Sequence, residues 1–142
     1  MDHLGTDTRI VLLLAGLMFL WALLLGQLKY RQILASPQGH AHPYTDIAHR
    51  AALLYSFALL LVAAFVELSA WTTAVDLAAA GVLAFYFAAS VASYTVHGIR
   101  RDTDNQLRDP GALVRGFMVS LAVAEIGAFG VLLAGFVVEA FG

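Results

Sequence analysis

Three histidines and a carboxylate stand together at the mouth of an apolar run, His40-Ala-His42-Pro-Tyr-Thr-Asp46-Ile-Ala-His49, with Tyr55 and Ser56 two turns further on. Imidazole and carboxylate are the side chains that hold transition metals and move protons near neutral pH. Read as a helix from about residue 47, His49, Leu53, Ser56, Leu60, Ala63 and Glu67 fall on one stripe, because offsets of seven and eighteen residues nearly close whole turns at about 3.6 residues per turn. His49 and Ser56 therefore face the same neighbour. Tyr55 lies about a third of a turn away, so a group that reaches all three must be as wide as a macrocycle. The His40-x-His42 pair, with Asp46 and His49, also has the residue types of a zinc or other transition-metal site, against which stands the reading of a solvated loop.

Two other places carry chemistry. Tyr86, Ser90, Ser93 and His97 share one face of a third apolar run, with Tyr94 beside them. Hydroxyls on such a face often only bridge backbones, whereas a buried phenol needs a partner. Glu125 sits near the centre of the last run. A carboxyl at that depth is costly unless it is paired, protonated or beside a polar cavity, so it either serves a site or ties helices together.

The elements that must position these residues follow from composition. Of 142 residues, 61% are hydrophobic and 13% charged, and the mean hydropathy is +0.79, against roughly 25% charged in soluble domains. Four continuous apolar runs, 10–28, 51–68, 73–96 and 112–141, each approach the roughly 20 residues that cross a bilayer as a helix. Continuous rather than alternating runs exclude a β-barrel. The fold expected is all-α: one integral membrane four-helix bundle over 1–142, with helices at about 9–28, 47–68, 73–98 and 111–141. The first run follows Asp2 and Asp7 rather than a basic region, so it reads as a retained helix and not a signal peptide. The absence of cysteine excludes disulfides, thiolate metal sites, c-type haem attachment and a thiol nucleophile. A net charge of -2 without a basic tail gives no reason to expect nucleic acid as a partner.

Lys29, Arg31 and Arg50 flank the first loop, and Arg100, Arg101, Arg108 and Arg115 flank the third. The positive-inside rule then predicts loops one and three in the cytoplasm and both termini outside. Trp71, in the short turn between helices two and three, is expected at the outer interface, and Asp76 at the amino end of helix three. Gly116, Ser120, Ala124 and Ala128 form a small-residue ladder that favours close contact, within the bundle or between protomers.

In Ala48-His49 at the start of helix two, a polar side chain at Tyr55, Tyr94 late in helix three, and Asn105-Gln106 followed by Pro110-Gly111, the chain resembles the styrene oxide isomerases over roughly residues 45–130. That resemblance implies a trimer of four-helix chains binding haem b, with His49 as axial ligand to the metal and Tyr94 as the site tyrosine. Beside these, Ser56 on the His49 stripe and Asn105 are expected next to the cofactor, and Tyr55 and Glu125 are expected to line the pocket as further catalytic candidates. The family has asparagine where this chain has Tyr55, and an acidic residue in helix three where this chain has Phe85 or Tyr86. Asp46, one turn before His49, is expected to anchor the imidazole's second nitrogen. Arg50-Ala51 and Glu67-Leu-Ser also resemble the membrane-associated eicosanoid and glutathione enzymes, which implies a glutathione site at the cytoplasmic start of helix two.

The function expected is a small membrane haem protein, holding haem b through His49 in the lipid bilayer and acting as a Lewis-acid isomerase on a small apolar epoxide. The alternatives are a glutathione-dependent membrane enzyme and a non-enzymatic membrane subunit or scaffold in which His49 and Glu125 satisfy each other across helices.

Overall fold

The computed structural model describes residues 4–142; Asp2 lies outside the described residues. It contains α1 (Thr6–Ala35), α2 (Pro43–Glu67), α3 (Thr73–Arg100) and α4 (Ala112–Phe141), all four long and apolar enough to cross a membrane. The chain is all-helical, and its connections are short enough to make successive helices antiparallel neighbours.

Two helices run past their apolar cores. α1 continues to Ala35 rather than Leu28 because its added turns consist of good helix formers. Within them the buried Gln32 donates through Nε2 to the Gly98 carbonyl at 3.1 Å and accepts from the His42 N–H at 2.9 Å. α2 begins at Pro43 rather than Ile47. Proline suits a first helical position, where its missing N–H is no loss, and His42 caps the helix by accepting the Tyr44 N–H on Nδ1 at 3.3 Å.

The core is the seam between α1 and α2. Val11, Ala15, Met18, Ala22 and Leu25 of α1 are buried at alternating spacings of four and three, facing Ala48, Ala52, Leu59, Val62 and Val66 of α2. That alternation produces a shallow left-handed crossing. The fully buried alanines 22, 48 and 52 let the backbones approach, which is how helices gain contact where hydrophobic transfer gives no drive between them. At the far end Glu67 Oε2 accepts from the Gly5 N–H at 3.1 Å and the Thr8 hydroxyl at 2.5 Å, so this carboxylate closes the amino end of α1.

α3 lies against α2, and α4 against α3 and α2; α1 and α4 do not touch. Among α4 residues only Leu132 and Gly135 are buried. The helix is clamped there by the α2–α3 turn, where Trp71 Nε1 donates to the Val131 carbonyl at 2.8 Å and the Ala70 N–H to the Gly135 carbonyl at 3.2 Å. A Cβ on Gly135 would come 2.6 Å from Trp71 Cδ1, so this approach requires glycine. Gly116, Gly127 and Gly130 face open space, and the Ser120 hydroxyl returns to the Phe117 carbonyl at 2.8 Å. The expected ladder therefore makes no close contact within the chain at these positions. α4 is held at one end and stands away from α3 at the other.

Candidate functional site

His49 occupies the α1/α2 seam over Gly26, where a Cβ would lie 3.2 Å from its Nε2. Its Nδ1 is buried without a partner. Asp46 does not supply the expected anchor: Lys29 Nζ sits 2.6 Å from Oδ1 and Arg50 Nη2 2.9 Å from Oδ2, so two cations occupy both oxygens. Ser56 is buried, and its hydroxyl donates to the Leu53 carbonyl at 2.6 Å. It satisfies itself on its own helix and offers no donor to a group at His49. The loop cluster also separates, because His42 Nε2 lies 3.2 Å from Asp104 Oδ1 and Asp46 belongs to Lys29 and Arg50. Among the described residues no group of three or more His, Cys, Asp or Glu side chains is placed to hold a metal ion.

The second locus is on the opposite flank. Where α4 stands away from α3, a cavity of about 700 Å³ opens, walled by Leu113, Val114, Phe117 and Met118 on α4 and by Ser90, Ser93 and Tyr94 on α3, with Gln106 above. Tyr55 stacks on Phe87 with centroids 4.2 Å apart and planes 7° from parallel, and its hydroxyl meets Ser90. Glu125 lines a smaller groove of about 350 Å³ with Ala58, Phe87 and Phe129, where its Oε1 is buried without a partner. Tyr94 lines the larger opening and Glu125 the smaller, and Tyr55 lies between them, stacked on Phe87 of the smaller wall; His49 lines neither. The structure thus gathers the three catalytic candidates and leaves the expected metal ligand apart from them. His49 and Glu125 do not meet, so the cross-helix pairing expected of a scaffold is absent.

Loop three is tied down over this cavity. The Tyr44 hydroxyl, on the first turn of α2, accepts the Gln106 N–H at 2.8 Å, and the Ser93 hydroxyl donates to Gln106 Oε1 at 3.2 Å. The buried Tyr44 ring meets those of Tyr94 and His97, with centroids 5.9 and 5.3 Å apart. His97 Nδ1 lies 2.7 Å from Asp102 Oδ1, and this hydrogen bond holds the Asp102 carboxyl below the usual carboxylate range. Asn105 turns its carboxamide to the Leu107 N–H at 2.9 Å and is exposed, whereas its neighbour Gln106 lines the cavity. Sequence reasoning gave Tyr44 no role and met Gln106 only as the neighbour of Asn105 in the quoted motif. The signal for Tyr44 was an aromatic residue between two histidine-bearing turns, whose partner lies 62 positions away.

Comparison with family models, curated proteins and solved structures returns no match.

Proposed function

We propose that the chain is an integral membrane protein that holds haem b on His49. One observation carries this reading: a membrane helix presents an imidazole whose Nδ1 is buried without a partner and whose Nε2 faces a glycine. A buried unpaired polar atom costs about 1–3 kcal/mol, and a seam serving contact alone would keep an apolar residue there. His49 would bind iron as a neutral imidazole; Gly26 carries no Cβ over Nε2, so α1 has least to displace there, but its backbone covers that nitrogen and would have to shift for a haem to enter the seam. Leu23 and Leu53, one turn from Gly26 and His49, supply apolar wall.

When bound, ferric haem supplies a Lewis acid that polarises an epoxide oxygen so that the ring opens toward a carbonyl compound. In such a reaction Tyr94 would orient the oxygen by donating its phenol proton, and Tyr55 and Glu125 would line the site. Within one protomer these three lie on the other flank from His49, so the isomerase reading requires an oligomer. The α1/α2 side of one copy would meet the α3/α4 opening of the next, and a head-to-tail contact of that kind gives a ring such as the implied trimer where its rotation closes.

A visible spectrum of the purified protein produced with ample haem tests the cofactor. A Soret band that His49→Ala abolishes, and that His40→Ala and His42→Ala leave in place, is expected; a haem-free wild type refutes the reading. The basic residues of loops one and three favour a cytoplasmic position for that end of the bundle, and on that reading a reporter active only there should be silent when fused to Gly142.

A further inference from the structure

We propose that the α3/α4 cavity binds a neutral, largely apolar molecule carrying one acceptor oxygen, a ketone, aldehyde or ether, and that Gln106 and Tyr94 together recognise that oxygen. The assignment of Tyr94 is shared with the isomerase reading, but the site stands whether or not His49 holds haem.

The cavity, about 700 Å³, lies in the range of about 300–1,000 Å³ typical of small-molecule sites. No charged side chain lines it, so a charged ligand would lose its hydration without a counter-charge, while a neutral one would not. Its α4 wall is apolar, and Leu113 is 88% exposed because the amino-terminal half of α4 is not packed onto the bundle. A molecule dissolved in the bilayer therefore has a lateral way in between the two helices.

The polar end is specific in kind. The Gln106 carboxamide oxygen already accepts from Ser93 and its backbone N–H is held by Tyr44, which fixes the side chain and leaves the Nε2 donor uncommitted. The Tyr94 hydroxyl makes no hydrogen bond among the described residues, although its ring is held against Tyr44. Two immobilised donors with no acceptor of their own, at the mouth of an apolar cavity, call for an acceptor oxygen on the ligand; a hydrocarbon of the same shape would leave both unpaired.

Benzophenone, two apolar rings on one ketone, is both ligand and photolabel. Irradiated with the full chain in lipid nanodiscs, it is expected to insert saturably into cavity residues such as Leu113 and Met118, located by peptide mass spectrometry. An excess of dibenzyl ether, which carries an acceptor oxygen but does not absorb the light that excites benzophenone, should suppress that labelling at least about tenfold more effectively than bibenzyl, which has the same two rings and no oxygen. Tyr94→Phe keeps the stacked ring, and Gln106→Leu keeps the bulk; each should raise the half-saturating concentration about 3- to 10-fold. Labelling is read on protein produced without haem, so a failure of the haem reading does not touch this one. Labels spread over the lipid-facing sides of all four helices, or equal suppression by bibenzyl, would overturn the proposal on the wild-type protein alone, whatever the fate of the variants.

Discussion

Replacing His49 with leucine separates a ligand from a structural histidine by sign. The imidazole lies in the α1/α2 seam with a buried, unpaired Nδ1, and leaving such an atom unsatisfied costs about 1–3 kcal/mol. Because the ring is only half-buried, the low end of that range applies. Leucine has similar volume, lies well on a helix beside Ala22, Ala48 and Ala52, and carries no polar atom. His49→Leu is therefore expected to stabilise the haem-free protein by about 1 kcal/mol while abolishing the Soret band. Thermal unfolding in one detergent, followed by circular dichroism with and without added hemin, measures both effects. Hemin should raise the midpoint of the wild type, since a ligand that binds only the folded state stabilises it, and should leave that of His49→Leu unmoved. A haem-free His49→Leu protein less stable than wild type by 1 kcal/mol or more (about the worth of one satisfied hydrogen bond) would mean that the imidazole does have a partner, and the argument from its orphaned nitrogen would fail.

Gly26→Ala should reduce hemin affinity without unfolding the chain. Its methyl would lie 3.2 Å from Nε2, tight but tolerable in the free protein, where alanine gains about 0.5–1 kcal/mol over glycine in a helix; an unchanged hemin titration refutes the placement. Gly135→Ala should cost about 1–3 kcal/mol by overpacking, because its Cβ meets Trp71, and should loosen α4; tryptophan fluorescence that stays at the wild-type wavelength would show the clamp intact. His97 holds the Asp102 carboxyl below its ordinary value, so the stabilisation it gives loop three is present above the unfolded value of about 3.9 and is lost as the pH falls through the lower folded value. Hydrogen exchange at 101–106, corrected for intrinsic rates, should therefore accelerate more on acidification in the wild type than in Asp102→Asn, and equal acceleration would remove the His97–Asp102 tether from the account.

The sequence by itself determined the class of the molecule. Four uninterrupted apolar runs with almost no charge can satisfy their backbones in a bilayer only as helices, so all four spans were legible from composition and length, as was the cost of burying Glu125. Helix ends were less legible: α1 and α2 extend into polar sequence because Gln32 accepts the His42 N–H, His42 caps α2 and Pro43 has no N–H to satisfy, and Gln32 is held there by Gly98, 66 residues away. What only the tertiary structure decided is which polar groups meet. The stripe from His49 to Glu67 is real as helical geometry, yet its members part: His49 faces Gly26, Ser56 bonds to its own helix, and Glu67 closes α1. Tyr55, Tyr94 and Glu125, from three helices, come together, while Asp46 goes to Lys29 and Arg50. The physical reason is that inside lipid apolar patterning does not say which helix a face will meet. Small residues set close approach, and a few hydrogen bonds between positions remote in sequence, Trp71 to Val131 and Gln106 to Tyr44, fix where α4 is held and where it leaves a cavity.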